Sequence, residues 1–292
     1  MPSATSSVVE IRGLEKTFRD FWGRPRVQAL KGIDLEIGSG EVFGLLGPNG
    51  SGKSTTVKIL LGLLRPTGGT ASVLGGSPRS VKLKARLGYL PEESHFYPHL
   101  TGEELLRFFA RVFSIPEARA RTRTDELLRL VGLESARRRT VGEYSKGMLR
   151  RIGIAQALVN DPELLILDEP TSGMDPIGNR DVKELLRDLK RRGKTVILSS
   201  HLLADVEDVC DRVGILHQGS LTAVGTLESL LADDQRTQIV TDRLSPATVE
   251  AVLGLLRERE GPGLRAEVGT PSSRLEEYFL RTIEAQEKAA RS

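Results

Sequence analysis

Residues 47–54 read Gly-Pro-Asn-Gly-Ser-Gly-Lys-Ser and follow the spacing G-x-x-x-x-G-K-S. The apolar residues of 41–46 before them are typical of a strand, and those of 53–64 after them are typical of a helix. Glycines let the backbone curl so that several N–H groups face one anion, and the helix that follows adds its positive end. The segment therefore predicts a phosphate-binding loop at the end of a strand.

This loop indicates a nucleotide with its magnesium ion as the ligand. The side chain of Lys53 can reach the β- and γ-phosphates, and the hydroxyl of Ser54 can bind Mg²⁺. A plain glycine-rich turn is the alternative, which the strand–loop–helix context disfavours. The candidate nucleotide-binding residues of the segment are Gly47, Pro48, Asn49, Gly50, Ser51, Gly52, Lys53, Ser54 and Thr55.

A second candidate lies where a fully apolar run, residues 164–167, meets two acidic residues. Such a run is typical of a buried parallel strand, whose carboxyl end lies beside the phosphate loop in an open α/β sheet. Asp168 is placed to hold Mg²⁺ directly or through water, and Glu169 is placed to orient or deprotonate an attacking water. Taken alone, the same pattern fits a strand that ends at a polar turn.

The order of patterns along the chain predicts an α/β fold. Strand patterns precede the phosphate loop, and helical patterns follow at 102–113, 117–131 and 146–159. Strands then alternate with helices through 216, and one of these helices is expected at about 176–191. Thr101 and Glu104 have the spacing of a capping box for the first helix of this insert. The tail contains a strand pattern at 237–241, a helix start at Ser245 and Pro246, and an apolar stripe from 275 to 283.

Four further segments resemble the nucleotide-binding subunit of an ABC transporter over about residues 8–230. Residues 144–148, Tyr-Ser-Lys-Gly-Met, stand where that family has its signature motif. Residues 172–176, Ser-Gly-Met-Asp-Pro, resemble its D-loop, and His201 after a strand pattern resembles its switch histidine. Phe18 stands where the family has an aromatic residue that stacks on adenine. All of these elements follow one another in the order typical of the family.

The resemblance implies ATP and Mg²⁺ as ligands and a site completed by two subunits. Ser145, Lys146, Gly147 and Met148 would contact the γ-phosphate of an ATP held by a second copy or a homologous subunit. Asp175 would link the two sites, and His201 would hold the γ-phosphate and the water. Simpler roles stay open, since Ser145 is also a good N-cap, His201 can be an ordinary strand-end histidine, and Phe21 or Trp22 can stack instead of Phe18.

Two departures from the family pattern refine the prediction. Glu92 follows Gly88-Tyr89-Leu90-Pro91, where the family usually has a glutamine that links Mg²⁺ to the membrane subunit. Its carboxylate can still bind Mg²⁺, but it adds negative charge near the phosphates. Lys146 and Met148 replace the family's glycine and glutamine, as in the branch that works with ABC-2-type export permeases. Glu92 is therefore an expected coupling-loop and metal residue.

Composition limits the classes of protein that remain. The 42 basic and 39 acidic residues nearly cancel, and no apolar run approaches the roughly 18 residues of a membrane span. A single cysteine, Cys210, cannot form an internal disulfide, and the N-terminus lacks a secretory signal pattern. We therefore exclude an integral membrane protein, a disulfide scaffold and a Cys-rich zinc protein. The arginine runs at 119–123 and 137–139 lack interleaved aromatics, so no nucleic-acid partner is expected.

The sequence thus predicts a P-loop NTPase core with a β-rich N-terminal edge, a helical insert and a small C-terminal α+β extension. The expected ATP-binding domain is 1–233, with its helical subdomain at about 92–160, and the extension is 234–292. The expected function is ATP hydrolysis that powers a separate integral membrane permease of the export type, from the cytoplasmic face of the membrane. The alternative is a soluble ABC ATPase acting on ribosomes or nucleic acid.

Overall fold

The computed structural model describes residues 7–231 and 244–260. Contacts within the chain separate it into two units, Met1–Leu231 and Ala232–Ser292. The strands are β1 (Ser7–Arg19), β2 (Pro25–Gly38), β3 (Val42–Leu46), β4 (Gly68–Val73), β5 (Leu87–Leu90), β6 (Leu164–Asp168), β7 (Thr195–Ser200), β8 (Arg212–His217) and β9 (Ser220–Thr226). The α-helices are α1 (Lys53–Leu60), α2 (Val81–Lys84), α3 (Gly102–Val112), α4 (Glu117–Leu130), α5 (Lys146–Ala157), α6 (Pro176–Arg191), α7 (Leu203–Glu207), α8 (Leu227–Leu231) and α9 (Pro246–Glu260).

A six-stranded sheet in the order β5-β6-β7-β3-β8-β9 forms the centre of the first unit. Its first five strands are parallel, and β9 pairs antiparallel with β8. Every residue of β3, β6 and β7 is buried, which is why these strands read as apolar runs without alternation. Because the strands are parallel and adjacent, the carboxyl ends of β3, β6 and β7 meet at one edge of the sheet.

A second, three-stranded antiparallel sheet has the order β2-β1-β4. In β2 the side chains of Ile33, Leu35 and Ile37 are buried while the residues between them are exposed, as their alternation predicts. Phe18, near the end of β1, pairs with Val27 on β2. This sheet is the β-rich N-terminal edge expected from the sequence.

The helical insert follows β5 and consists of α3, α4 and α5. Its apolar faces meet around buried residues such as Leu105, Leu128 and Ile152. The capping box at its start is present: the Thr101 hydroxyl accepts from the N–H of Glu104, and the Glu104 carboxylate accepts from the N–H of Thr101. An α/β fold with a helical insert is therefore confirmed.

Some element boundaries differ from the predicted ones for local reasons. The helix expected over 53–64 ends at Leu60, because Gly62 has a φ of +68° and a Cβ there would lie 2.3 Å from the carbonyl oxygen of Pro78. In the second unit, α9 begins after Ser245, whose hydroxyl accepts from the N–H of Thr248 at 3.2 Å. The predicted strand at 237–241 and the last predicted helix, at 275–283, lie outside the described residues.

Candidate functional site

The loop between β3 and α1 has a backbone that only glycine fits at two positions. Gly47 has a φ of +153°, and a Cβ there would lie 2.2 Å from the carbonyl oxygen of Leu216. Gly52 is the N-cap of α1, with a φ of +114° and a Cβ position 2.8 Å from the carbonyl oxygen of Ala29. The loop is therefore packed closely against β2 and β8, which fixes its shape.

The start of α1 supplies positive potential to the space in front of the loop. Gly52 provides no side-chain cap, so the first N–H groups of α1 keep their hydrogen-bonding capacity. Lys53 is only 6% exposed, and its Nζ donates to the carbonyl oxygen of Gly47 at 2.6 Å. The buried Ser51 hydroxyl has no hydrogen-bond partner within the part of the chain that the structure describes. This set of donors fits an anion with several oxygens.

Most of the predicted nucleotide-binding residues line an open cavity of about 280 Å³. It is lined by Phe18 and Val27 from the N-terminal sheet, by residues 49–55 of the loop and α1, and by the acidic residues Glu92 and Glu169. Phe18 is 41% exposed and has the Nζ of Lys16 at 5.2 Å from its ring centroid. Phe21 and Trp22 are 95% and 76% exposed and are absent from the lining, which favours Phe18 as the stacking residue.

Glu169 lies directly beside Lys53 and His201. Its side chain is buried, one carboxylate oxygen is 3.9 Å from Nζ of Lys53, and the other is 2.9 Å from Nδ1 of His201. The Glu169 backbone has a φ of +51°, which is uncommon for a residue with a Cβ. A carboxylate, an ammonium group and an imidazole thus converge at the sheet edge, an arrangement suited to holding a phosphate and accepting a proton from water.

Asp168 is held one residue earlier, at the end of β6. It is buried, and its carboxylate accepts a hydrogen bond from the Ser199 hydroxyl of β7. The same hydroxyl also accepts from the N–H of Glu169 at 3.1 Å. Ser199 therefore orients both acidic residues, a role that no sequence motif indicates because the contact depends on the pairing of β6 with β7.

Arg150 is a second residue that sequence reasoning missed. It lies on α5, is buried, and donates only to backbone carbonyl oxygens. Burial lowers the pKa of its guanidinium, an effect that the nearby charges of Asp168, Glu92 and Glu169 oppose. The acceptors are the carbonyl oxygens of Pro91, Glu92, Asp168, Glu169 and Pro170.

The predicted signature residues lie outside this cavity. Ser145 caps α5, since its hydroxyl accepts from the N–H of Met148 at 3.3 Å, and both Ser145 and Lys146 are exposed. Gly147 lies next to Met174 of the predicted D-loop, where an added Cβ would be 3.7 Å from the Met174 methyl group. Asp175 is exposed and caps α6 by accepting from the N–H of Gly178 at 2.7 Å. The structure thus places the signature beside the D-loop, apart from the chain's own phosphate loop.

Two absences within the described ranges bear on metal binding and on membrane insertion. Residues 7–231 and 244–260 contain no group of three or more histidine, cysteine, aspartate or glutamate residues that could hold a metal ion. This is compatible with magnesium, which is usually held by one or two protein oxygens together with phosphates and water. Across the same ranges, every helix is too short or too polar to span a membrane.

The fold and the cavity define a P-loop nucleotide-binding protein. A family model described as ABC transporter matches residues 30–172. An uncharacterized ABC transporter ATP-binding protein of Nostoc sp. is 49% identical over 230 residues, which are 78% of this chain and 69% of the relative. The fluoroquinolones export ATP-binding protein of Mycobacterium tuberculosis is 42% identical over 236 residues, covering 80% of this chain and 76% of that protein.

A solved structure supports the same assignment. It is a dimeric ATP-binding cassette in a post-hydrolysis state bound to ADP and Pi, with 27% identity and a TM-score of 0.68 over 75% of this chain and 98% of the cassette. The chain belongs to the ATP-binding proteins of ABC transporters, and it is an ATPase of that family.

Proposed function

We propose that this chain hydrolyses ATP to power a separate integral membrane permease, from the cytoplasmic face of the membrane, and that the permease is an ABC-2-type exporter. The observation that carries the proposal is the position of Glu169 between two groups in front of the phosphate loop: its carboxylate lies 3.9 Å from Nζ of Lys53 and 2.9 Å from Nδ1 of His201. The names of relatives support export: the Mycobacterium tuberculosis protein serves fluoroquinolone export, and a Bacillus subtilis relative serves linearmycin resistance.

The predicted site residues in and beside the cavity have roles that follow from their chemistry. Phe18 stacks on the adenine ring, and the N–H groups at the start of α1 bind phosphate oxygens. Lys53 holds the β- and γ-phosphates, Glu169 accepts the proton of the attacking water, and His201 contacts the γ-phosphate and that water. The buried position of Glu169 keeps its carboxylate close to the reacting atoms.

The magnesium ion of the nucleotide fits the same edge of the sheet. Ser54 and Glu92 line the cavity, and Asp168 is held at the end of β6 by Ser199. These three side chains supply the hard oxygen ligands that Mg²⁺ prefers. When bound, the ion neutralises charge on the β- and γ-phosphates.

A second copy or a homologous subunit completes the site in this proposal. Ser145 and Lys146 are exposed and lie outside their own chain's cavity, at the positive end of α5. Facing another subunit, they and Gly147 would contact the ATP held there, with Asp175 linking the two sites. Residues 1–233 then form the ATP-binding domain, and residues 234–292 form an added extension.

The experiment is a pull-down of tagged Glu169→Gln protein from detergent-solubilised host membranes in the presence of ATP and Mg²⁺. The expected result is a co-purifying polytopic membrane protein identified by mass spectrometry. The control is the double variant Lys53→Ala/Glu169→Gln, which should recover less of it because nucleotide binding is weakened. Ribosomal or DNA-associated partners without a membrane protein would overturn the transporter proposal and favour a soluble ABC ATPase.

A further inference from the structure

Arg150 uses its whole guanidinium group to join two backbone segments of the nucleotide site. An arginine side chain has five N–H donors, and the structure gives Arg150 five carbonyl acceptors. Its Nη1 donates at 2.7 Å to Pro91 and at 2.8 Å to Glu92, in the segment after β5. Its Nε donates at 3.1 Å to Pro170, and its Nη2 donates to Asp168 and Glu169, in the segment that begins at the last residue of β6.

Because the Arg150 guanidinium is buried, its hydrogen bonds are required for the stability of the fold. Arg150 is only 7% exposed, and a buried charge is strongly destabilising unless its donors are satisfied. Every acceptor is a backbone carbonyl oxygen, and the guanidinium group is planar with its donors in a rigid arrangement. The group therefore fixes the distance between the two segments. Removing the guanidinium group would take one hydrogen-bond donor away from each of these five carbonyl oxygens.

The backbone of Glu169 shows why such a support is needed. Its φ of +51° is a conformation that costs a residue with a Cβ about 1 kcal/mol or more. Hydrogen bonds hold it on both sides: its N–H donates to Ser199, and its carbonyl oxygen accepts from Arg150 and from the N–H of Ser172. The conformation aims the Glu169 carboxylate at Lys53 and His201.

We propose that Arg150 is a positioning residue for hydrolysis: it holds Glu169 in its left-handed conformation and fixes it relative to the Glu92 segment. The proposal rests on the catalytic role of Glu169 proposed above. Arg150 itself is not a catalytic residue, since its donors are all directed at carbonyl oxygens of the chain. Its loss should therefore slow the chemical step far more than it weakens the binding of ATP.

The test compares Arg150→Lys with Arg123→Lys. Lysine keeps the charge but has three N–H donors on one atom, so it cannot satisfy both segments. Arg123 is the matched control, because its guanidinium donates at 2.7 Å to the carbonyl oxygen of Leu158 beyond the other end of α5. For Arg150→Lys we expect kcat to fall about 10- to 100-fold, because small misplacements of a catalytic group cost that much. For Arg123→Lys we expect kcat within about twofold of wild type.

Two further quantities complete the comparison: the ATP affinity, measured by calorimetric titration, and the stability of each variant, measured by thermal unfolding. The proposal holds if Arg150→Lys lowers kcat while its ATP affinity stays within about threefold of wild type. It is overturned if kcat is unchanged, or if kcat and affinity fall together. Glu169→Gln is assayed in parallel: retained hydrolysis in that variant would refute the proposed role of Glu169, whereas its loss alongside an unaffected Arg150→Lys variant would refute only the present inference.

Arg150→Gln decides the matter if Arg150→Lys does not fold. Glutamine carries no charge, so it buries no cation, and its two N–H donors lie on one atom, so it cannot hold both segments. We expect the same loss of kcat with near-normal ATP affinity, and an unchanged kcat would overturn the proposal.

Discussion

At the scale of single residues, Lys53 carries the sharpest prediction for binding. Its ammonium group is buried against the loop carbonyls and close to Glu169, so it is positioned before any phosphate arrives. A hydrogen bond to a charged group contributes about 1.5–3 kcal/mol, which corresponds to roughly 10- to 100-fold in affinity. We expect Lys53→Ala to weaken ATP binding by that factor in calorimetric titration.

Lys58 provides the control for this substitution. It lies on the same helix, α1, but is exposed to solvent. Lys58→Ala should leave ATP affinity near the wild-type value, so that a general effect on the helix can be separated from a local one. Unchanged affinity in Lys53→Ala would refute the assignment of the phosphate loop.

Ser199 carries a prediction for hydrolysis. Its buried hydroxyl donates to the Asp168 carboxylate and accepts from the Glu169 N–H. Ser199→Ala removes both contacts but leaves the backbone bond from Glu169 to the Ser199 carbonyl. We expect a loss of about tenfold in kcat, with a higher Mg²⁺ requirement, because Asp168 is no longer oriented. Steady-state rates over a magnesium titration measure it, and a normal magnesium curve would contradict it.

Whether a residue of the site could be predicted from the sequence depends on how far away in sequence its partners lie. Short motifs at the ends of strands, namely the phosphate loop and the acidic pair, were enough to predict Lys53, Ser54, Asp168 and Glu169. Arg150 and Ser199 could not be predicted, because their partners are reached only through the helix and sheet packing. The Arg150 bond to Pro91 spans 59 residues, and the Ser199 bond to Asp168 spans 31.

At the scale of elements, the start of α3 makes a stability prediction. The Thr101 backbone and side chain both donate to Glu104, and these bonds lower the pKa of the Glu104 carboxyl below its ordinary value of 4.5. The carboxylate therefore stabilises the fold above that ordinary value, and the stabilisation is lost as the pH falls through the lower, folded value. We expect Thr101→Ala to cost about 1 kcal/mol at neutral pH.

Urea unfolding followed by circular dichroism measures this cost. The difference between wild type and Thr101→Ala should shrink as the pH falls below 4.5, because Glu104 becomes protonated in both proteins. Thr122→Ala is the control, since Thr122 is exposed in the middle of α4 and caps no helix. A constant difference across this pH range would show that Glu104 is not part of the capping interaction.

The start of α5 makes a prediction in which stability and activity change in opposite directions. A methyl group at Gly147 has space, with its nearest contact 3.7 Å away at Met174, and alanine favours a helix over glycine by up to about 1 kcal/mol. The same methyl group would obstruct the approach of a partner's γ-phosphate to the Gly147 N–H. We expect Gly147→Ala to be at least as stable as wild type and nearly inactive in ATP hydrolysis.

Gly254→Ala is the matched control for Gly147→Ala. Gly254 lies on α9, where an added Cβ meets nothing within 4 Å. This variant should gain similar stability in thermal unfolding and keep its hydrolysis rate. An active Gly147→Ala variant would argue against the signature contact across the dimer.

The elements that the sequence predicted well are those with their own start and stop signals. The bounds of α6 are as expected, because Asp175 caps it and Pro176 occupies its first position. The strands β4, β5 and β9 were not predicted. β4 and β9 contain few branched apolar residues, and β5 has only four residues, so their place depends on pairing with β1, β6 and β8.

At the scale of the whole molecule, the separation of the signature from the phosphate loop predicts a dimer that depends on ATP. In one chain, Ser145 lies outside the cavity that contains Lys53 and Glu169, so two chains facing each other can each complete the other's site. Glu169→Gln should preserve ATP binding while removing the group that accepts the proton of water. We expect this variant to form a stable dimer with ATP and Mg²⁺ in light scattering, and Lys53→Ala/Glu169→Gln to stay monomeric. A monomer with ATP bound would contradict the shared site, because binding without association would show that each chain closes its own site.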